Sequence, residues 1–523
     1  LQKRHGKNLI QGALVLSLAS VIAKILSAVY RIPLQNLVGN TGFYVYQQIY
    51  PIYGIGMTFA LSGFPVFISK LIAEAQDDVR QKQLAYQSMI VLAVFSVILF
   101  VITFLTAPFL ATGMGDPGLA PIIKVVSFMF LFMPIIATGR GYYQGIYKMG
   151  PTATSQVVEQ LVRVLVIIAV AYIAAKHHWN VYRMGKWAMA SADFAAVAAM
   201  AFFVQFAVKL MRTVKLSFSW EQFKHLSRRF LTEGGLICLF AAMLILLQLV
   251  DSFTIKNNLV LSGIPDEAAK SIKGVYDRAQ PLVQVGLVIA TSFATTMLPS
   301  LTESIRARDS RMFYRTASSL IRVSLAVSMT ASIGMIVLMP QINLLLFGSV
   351  EGTSALMLYN LCIIFAALIF VNNSILQSSG SITMTFWALS AGMVFKLIFN
   401  GVAVRHWGIN GASIVTVLSL LIIWLVMMQA MPERLRFDAL FNHQFLTKLV
   451  LGNVIMAGVV YGVAQVLGNA SRANAGLTAL VGAIIGAAVF VVYAIFGKLF
   501  TIREWLLVPY GKRILKKIQE MKK

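Results

Sequence analysis

Stretches of about twenty apolar residues recur from one end of this 523-residue chain to the other, and no other feature limits its fold so tightly. One such stretch is long enough to cross the ~30 Å hydrocarbon core of a bilayer as an α-helix. In that medium every backbone N–H and C=O must bond within the protein, which leaves helices or closed barrels. The runs are continuous rather than alternating, so they read as helices. Charged residues make up 12% of the chain, about half the share of a soluble domain. The expected fold class is an all-α polytopic membrane protein with little room for a soluble domain. The first run is too long for a secretory signal, and no small-residue cleavage site follows it.

Fourteen spans are expected, roughly at 8–33, 44–73, 84–112, 119–147, 153–176, 187–211, 232–257, 274–302, 314–346, 353–379, 382–404, 407–430, 447–468 and 474–498. Pro65, Pro134 and Pro299 mark kinks. Most of the 44 lysines and arginines fall on one set of connections, including 140–148, 209–229 and the C-terminal tail. The positive-inside rule makes that set cytoplasmic, with both termini inside. A net charge of +25 would suggest nucleic acid in a soluble protein. Here the cations flank spans and meet anionic lipid head groups, so membrane lipids are the expected partner and nucleic acid is not.

An internal repeat is visible. Gln144 and Arg163 are 19 apart, as are Gln377 and Lys396, and the two pairs are offset by 233. Pro65 and Pro299 differ by nearly the same amount. Spans 1–6 and 7–12 therefore read as two pseudo-symmetric six-helix lobes in one orientation, an arrangement that encloses a central cavity between rocking halves. The expected divisions are 1–212, 213–431, an additional helix pair at 432–498 and a basic tail at 499–523, which reads as an amphipathic helix on the inner face.

Cations inside hydrocarbon cost at least ~2.5 kcal/mol each, and they are tolerated against water, a partner or an anion. Six lie within or near spans: Lys24, Lys124, Arg163, Arg278, Arg322 and Lys396. Lys24 and Arg31 are seven residues apart, on one helix face and about 10 Å from each other. Arg31, near the outer end, could snorkel; both are candidates to line a cavity. Asp277 and Arg278 are adjacent and point about 100° apart, either as interfacial ion-pair members or as a ligand contact with a supporting carboxylate. Glu159 and Arg163, at i and i+4, read as an intrahelical ion pair. Lys396 has Gly392 where that carboxylate would be, which makes it the better candidate for an anion. Asp251 is an isolated acid: a structural group, a counter-ion for the cations, or a proton or sodium site.

The remaining signals are weak. Cys238 and Cys362 lie in apolar runs and imply no disulfide framework. His177 and His178 have no acidic or cysteine partner at ligand spacing. No phosphate loop, nucleophile elbow or zinc motif occurs, so no catalytic residue, metal or cofactor is expected, and direct ATP drive is not either.

Three stretches carry a family resemblance: "GFPVFISKLIAEA" at 63–75, "RGYYQGIYKMGPTATSQVVEQLVRV" at 140–164, and "YDRAQP" with "LPSLTES" within 276–304. They resemble the polysaccharide exporter and lipid flippase group of the MOP transporter superfamily, above all stage V sporulation protein B-like proteins, relatives of MurJ-type lipid II flippases. The resemblance implies fourteen helices in two lobes and a final pair, a cationic cavity, and a polyprenyl-pyrophosphate-linked sugar moved from inner to outer leaflet by alternating access. It places Lys24 and Arg31 at basic positions of the first helix and Asp277 with Arg278 at an Asp-Arg pair opening the eighth. Arg163 and Lys396 join the candidate cavity cations; Asp277, Glu159, Asp251, Gln144 and Arg140 are candidate supporting or coupling groups. A coupling ion would be Na+ or H+, and cell-wall synthesis proteins are conceivable partners. The rival readings are a cation-coupled multidrug exporter, which would want an acidic cavity, and a membrane enzyme or scaffold in glycan assembly, which would need a large external loop or no buried cations.

Overall fold

A computed structural model describes residues 2–75, 77–214, 219–288, 290, 301, 304, 309–378, 382–436, 444–468, 470–501 and 504–505, with side chains from residue 16 onward. Among these residues every regular element is helical. Eleven stretches among them are apolar and long enough to cross a membrane. Two of these, Leu16–Ala73 and Thr383–Ala430, hold 58 and 48 residues, each enough for two crossings at 1.5 Å per residue. They contain expected spans 1 with 2 and 11 with 12. Most of span 8 beyond residue 288, including Pro299, lies outside the described residues, as does most of the basic tail.

The double-length stretches turn at glycine. Gly39 (φ 70) bends Arg31–Thr58, and Gly408 (φ 57) bends Ile382–Ala430. An L side chain is strained at such φ values, so these turns need glycine. The expected kinks at Pro65 and Pro134 take a definite form. Proline has no N–H for the carbonyl four residues earlier. A wide π-helical turn, Phe59–Gly63, precedes Pro65, and a tight 3-10 turn, Phe128–Phe132, precedes Pro134. Span 7 starts with a second π-turn at Phe230–Gly234, breaks at Ala242, and continues as Met243–Leu261.

Packing divides the chain into two compact units, Leu1–Asp277 and Arg278–Lys523. This division follows contacts rather than the sequence repeat: span 7 and the helix Asp266–Asp277 pack with spans 1–6. In the first unit, span 2 is wrapped on all sides. Residues 42–54 are all buried, including Tyr44, Tyr46, Gln47, Gln48, Tyr50 and Tyr53. Span 4 approaches the end of span 2 through Gly141 and Gly145, where a Cβ would stand 2.6 Å from the Cβ atoms of Ile68 and Ile72. Small residues four apart let membrane helices pack this closely. In the second unit, Gly452 lies under Tyr493 and Gly482 under Leu338, which draws spans 13, 14 and 9 together.

Gly145→Leu places a side chain where Ile72 already stands. Overpacking of this kind costs about 1–3 kcal/mol, so the thermal midpoint of the detergent-solubilised chain should fall, whereas Gly150→Leu, where a Cβ meets nothing within 4 Å, should leave it nearly unchanged.

Candidate functional site: buried cations and their tyrosine wall

Span 1 (Gln2–Val29) presents three sides. Leu18, Ile22, Ile25 and Val29, spaced i, i+4, i+7 and i+11, form an exposed apolar stripe, while Ala19, Ala23 and Tyr30 are buried. Lys24 lies on the third side and is exposed, in register with Ala28 and Arg31. Helical bonding continues through Tyr30, whose N–H donates to the Leu26 carbonyl and whose carbonyl accepts from Leu34. Arg31 does not snorkel: its exposure is 0%. Its guanidinium carbon stacks 4.1 Å over the ring of Tyr50. Its buried Nε, Nη1 and Nη2 make no hydrogen bond of good geometry, and the Tyr30 phenol faces the guanidinium.

Arg163, on span 5 (Met149–Lys176), meets the same wall. Its Nη2 donates to the hydroxyls of Tyr30 (3.1 Å) and Tyr46 (2.8 Å), and these two hydroxyls share a hydrogen bond of 2.7 Å. Its guanidinium carbon lies 3.8 Å over Tyr53 and 5.7 Å from the centre of Tyr50. The Tyr53 hydroxyl is buried with no partner. Among the described residues, neither Arg31 nor Arg163 has a carboxylate within 4.0 Å. Stacking on desolvated aromatic faces is worth about 2 kcal/mol per contact, which offsets only part of the several kcal/mol lost by each buried ion.

The expected Glu159–Arg163 pair does not form. Glu159 turns instead to Arg140 of span 4, accepting from its Nη2 at 2.6 Å with both side chains buried. Arg140 sits inside the bundle rather than on a connection. Its Nε donates to Ser155 at 3.1 Å, and its Nη1 donates at 3.4 Å to the carbonyl of Ala60, inside the π-turn of span 2, where the regular ladder is interrupted. A carboxylate reaching across to span 4 satisfies a guanidinium that no neighbour on its own helix could. Gln144, one turn beyond Arg140, is half-buried.

The acids of the first unit are also engaged. Asp277 accepts from Lys273 at 2.5 Å, one turn back rather than across to another span. Asp251, 1% exposed, accepts from the hydroxyl of Tyr276 at 3.1 Å. Lys256, Lys270 and Lys273, at or beyond the end of expected span 7 and before span 8, are buried. Lys256 and Lys270 both pair with Asp266, and Lys256 also donates to the Gly115 carbonyl at 2.6 Å. Asp116 accepts from Tyr44 at 3.3 Å and from Tyr182 at 3.0 Å, and Asn40 donates to Ser271 at 3.3 Å. The helix Asp266–Asp277 is thereby tied to spans 2, 6 and 7 and to the 3–4 connection.

In the second unit, Arg278 is buried, donates to Asn343 at 3.2 Å and lies 5.2 Å over the ring of Phe347. Lys396 is fully buried and donates to Thr416 at 2.7 Å. The two therefore have separate surroundings on different spans. Arg322 meets Glu504 at 3.7 Å and Phe445 at 5.4 Å. Cys238 and Cys362 are buried free thiols, and no cluster of His, Cys, Asp or Glu among the described residues could hold a metal.

The sequence reading missed the tyrosines. Their signal was present: Tyr46, Tyr50 and Tyr53 are spaced i, i+4 and i+7 on span 2, one face of a helix.

Membrane-length helices with ionisable groups built into their interior define the class: a polytopic α-helical membrane protein with a polar interior. Residues 9–305 match the family model described as polysaccharide biosynthesis protein, and the chain belongs to that family. It is 33% identical over 521 residues to the membrane protein YabM of Bacillus subtilis strain 168, covering 98% of this chain and 97% of that protein. It is 27% identical over 446 residues to the lipid II flippase MurJ of the same organism, covering 78% and 80%. The structure of a lipid II flippase MurJ in an inward closed conformation superposes with a TM-score of 0.69 over 93% of this chain and 99% of that one at 14% identity, which establishes the shared fold.

Two outcomes follow. Arg140→Ala leaves Glu159 buried and unpaired and should cost about 3–5 kcal/mol, whereas replacing both residues by leucine should recover most of it, as read by thermal unfolding of the purified chain. Asp266 is held below the ordinary carboxylate range, first by its hydrogen bond from Lys256 and then by that from Lys270. A depressed folded-state value means the stabilisation is present above the ordinary carboxylate pKa of ~3.9 and is lost only as pH falls through the lower folded value. Hydrogen-exchange protection of residues 266–277 should therefore persist to about pH 4 in the native chain and be weakened at neutral pH in Asp266→Asn.

Proposed function

We propose that this chain is a transporter that moves a polyprenyl-pyrophosphate-linked saccharide, a cell-wall or polysaccharide precursor, from the inner to the outer leaflet of a bacterial plasma membrane by alternating access. The observation that carries this reading is the pair Arg31 and Arg163: two guanidiniums on one tyrosine wall, with phenols and rings as close neighbours and, among the described residues, no carboxylate within 4.0 Å, Asp277 acting on Arg31 only from farther off. A buried donor without a partner calls for an explanation, and a diphosphate supplies one. Arg31 is held by the Tyr50 ring and loosely by the Tyr30 phenol, Tyr53 has a buried hydroxyl with no partner, and Arg163 adds charge at the same wall. Arginine grips phosphate through two parallel N–H bonds, and in a low-dielectric interior such bonds are stronger than in water. The tyrosine rings keep the cations solvated when no anion is present.

Lys24 stands exposed on the same side of span 1 and acts as a first point of attraction. Within the second unit, Arg278 and Lys396 are further candidate cations, and spans 13 and 14 are the candidate holders of the polyprenyl tail. Membership of the polysaccharide biosynthesis family and the likeness to MurJ support a lipid-linked glycan as cargo. Both termini face the cytoplasm on the positive-inside reading, which puts the Asp266 network at the outer end. A potential negative inside favours outward movement of the anion by ~2.3 kcal/mol per charge per 100 mV. Asp251, held by Tyr276, is the carboxylate assigned to any coupling by Na+ or H+.

The test is flipping of fluorescent polyprenyl-pyrophosphate glycans by the reconstituted chain. Arg31→Gln and Arg163→Gln should each slow it by about tenfold or more, since losing one partner of a buried charged contact costs 2–5 kcal/mol. Arg183→Gln, which removes a cation stacked on Trp179 at 4.3 Å and outside the cluster, should not. Equal rates in all three variants would remove the site.

A further inference from the structure

Away from the buried arginines, the first unit carries an apolar groove of about 450 Å³, a volume typical of small-ligand sites. Phe59 and Phe64 of span 2, Phe95 and Leu99 of span 3, and Phe230 and Leu239 of span 7 wall it. Both π-turns of this unit, Phe59–Gly63 and Phe230–Gly234, lie along it. Spans 2 and 7 are pressed together at its floor: a Cβ on Gly63 would stand 2.2 Å from the Cys238 sulfur. The wide turns carry the phenylalanines to either side of that contact, and Gly235 contributes no side chain to fill the space between them. At the rim, Leu231 is 66% exposed.

Behind Phe230, which packs on Phe67 at 4.8 Å, lies a charged cluster. Glu233 accepts from Arg229 at 2.8 Å and pairs with Lys70 at 3.1 Å, and Glu74 also acts on Arg229. Arg229 also lies 5.9 Å over Phe67. The helix leading in, Trp220–Arg229, is capped by a reciprocal Ser219–Gln222 box and leaves Lys224 and Arg228 exposed. Its Trp220 is 67% exposed and stacks on Phe223 at 5.4 Å. Tryptophan beside basic residues on an amphipathic helix is the composition of a membrane-interface element.

We propose that this groove is a binding site for one anionic glycerophospholipid, with an acyl chain between the phenylalanines of spans 2, 3 and 7 and the headgroup phosphate against Lys70 and Arg229. Charge complementarity selects the occupant. The apolar trough fits a hydrocarbon chain, and Lys70, Lys224, Arg228 and Arg229 outnumber Glu74, Glu221 and Glu233 beside it by one, which fits a phosphodiester and not a zwitterion of balanced charge. The groove shares no residue with the tyrosine wall, so this lipid is anchored by its own headgroup rather than by the diphosphate of the cargo. It would act as a fixed wedge between spans 2 and 7.

The full chain, purified in mild detergent, is incubated with phosphatidylglycerol, phosphatidylcholine or undecaprenyl phosphate, and retained lipid is counted by native mass spectrometry alongside thermal unfolding. One phosphatidylglycerol should be retained and should raise the melting temperature, with phosphatidylcholine retained at least several-fold less. Gly235→Leu should abolish retention by occupying the groove; its Cβ would meet only the Phe230 carbonyl at 3.7 Å, an ordinary contact. Lys70→Gln should weaken retention of phosphatidylglycerol while leaving phosphatidylcholine unchanged. Should Gly235→Leu misfold, Leu231→Trp at the rim should reduce retention in its place. Equal retention of the two phospholipids, undiminished retention in a folded groove variant, or displacement of phosphatidylglycerol by undecaprenyl phosphate would each overturn the proposal. Flipping is not read out, so the outcome is independent of the cargo.

Discussion

A guanidinium cannot shed its proton inside a protein, so each arginine buried in a membrane bundle fixes what must surround it. The first unit meets that demand in three ways. Arg140 has a carboxylate, a serine hydroxyl and a backbone carbonyl freed by a π-turn. Arg163 has two phenolic oxygens and the face of Tyr53. Arg31 has one ring face and only a loose phenolic partner in Tyr30. Satisfaction falls in that order, and capacity to receive an anion rises with it. Arg140 and Glu159 hold spans 2, 4 and 5 together; Arg31 is the group whose surroundings are completed by something that arrives.

The backbone irregularities follow from the same need. Pro65 removes a donor from span 2, the π-turn before it loosens the ladder, and Arg140 bonds a carbonyl within that turn. One sequence feature thus creates the acceptor that a buried cation uses. The wide turn also displaces the phenylalanines that wall the lateral groove. A proline, a π-turn, an arginine anchor and an apolar trough are consecutive consequences of one interrupted helix, which is the setting in which such turns are usually found.

The helices were legible because hydrocarbon tolerates few alternatives, and apolar runs of that length have one stable form. The proline sites were legible for a similar reason, although the sequence did not say that one would widen and the other tighten. Side-chain partners were another matter. Glu159 and Arg163 have ideal spacing for an intrahelical pair, yet spacing states only which groups can meet. Arg140, nineteen residues upstream of Glu159, was assigned to a connection because it follows an apolar run, and its burial depends on how spans 2, 4 and 5 close around it. Lys256, Lys270 and Lys273 likewise lie where one apolar run gives way to the next, yet they are buried. Charge counting places a residue along the chain and is silent on whether a folded loop covers it. The tyrosines went unnoticed because aromatic residues at helical spacing ordinarily mean core.

That ambiguity bears on how such an interior distinguishes ligands. A wall of carboxylates would neutralise Arg31 and Arg163 permanently, and an anion entering would have to displace a partner held by the protein. Tyrosine offers a weaker, uncharged alternative: a hydroxyl that accepts from the guanidinium and a ring face that partly replaces water. The cations remain charged and undercompensated, so under the proposed function the attraction for a diphosphate is not spent in the empty state. A hydrophobic wall would leave the same attraction but no means of holding the side chains in place. Phenols stand between these extremes, and the proposed binding of an anion on one side of a membrane with release on the other would require that intermediate strength.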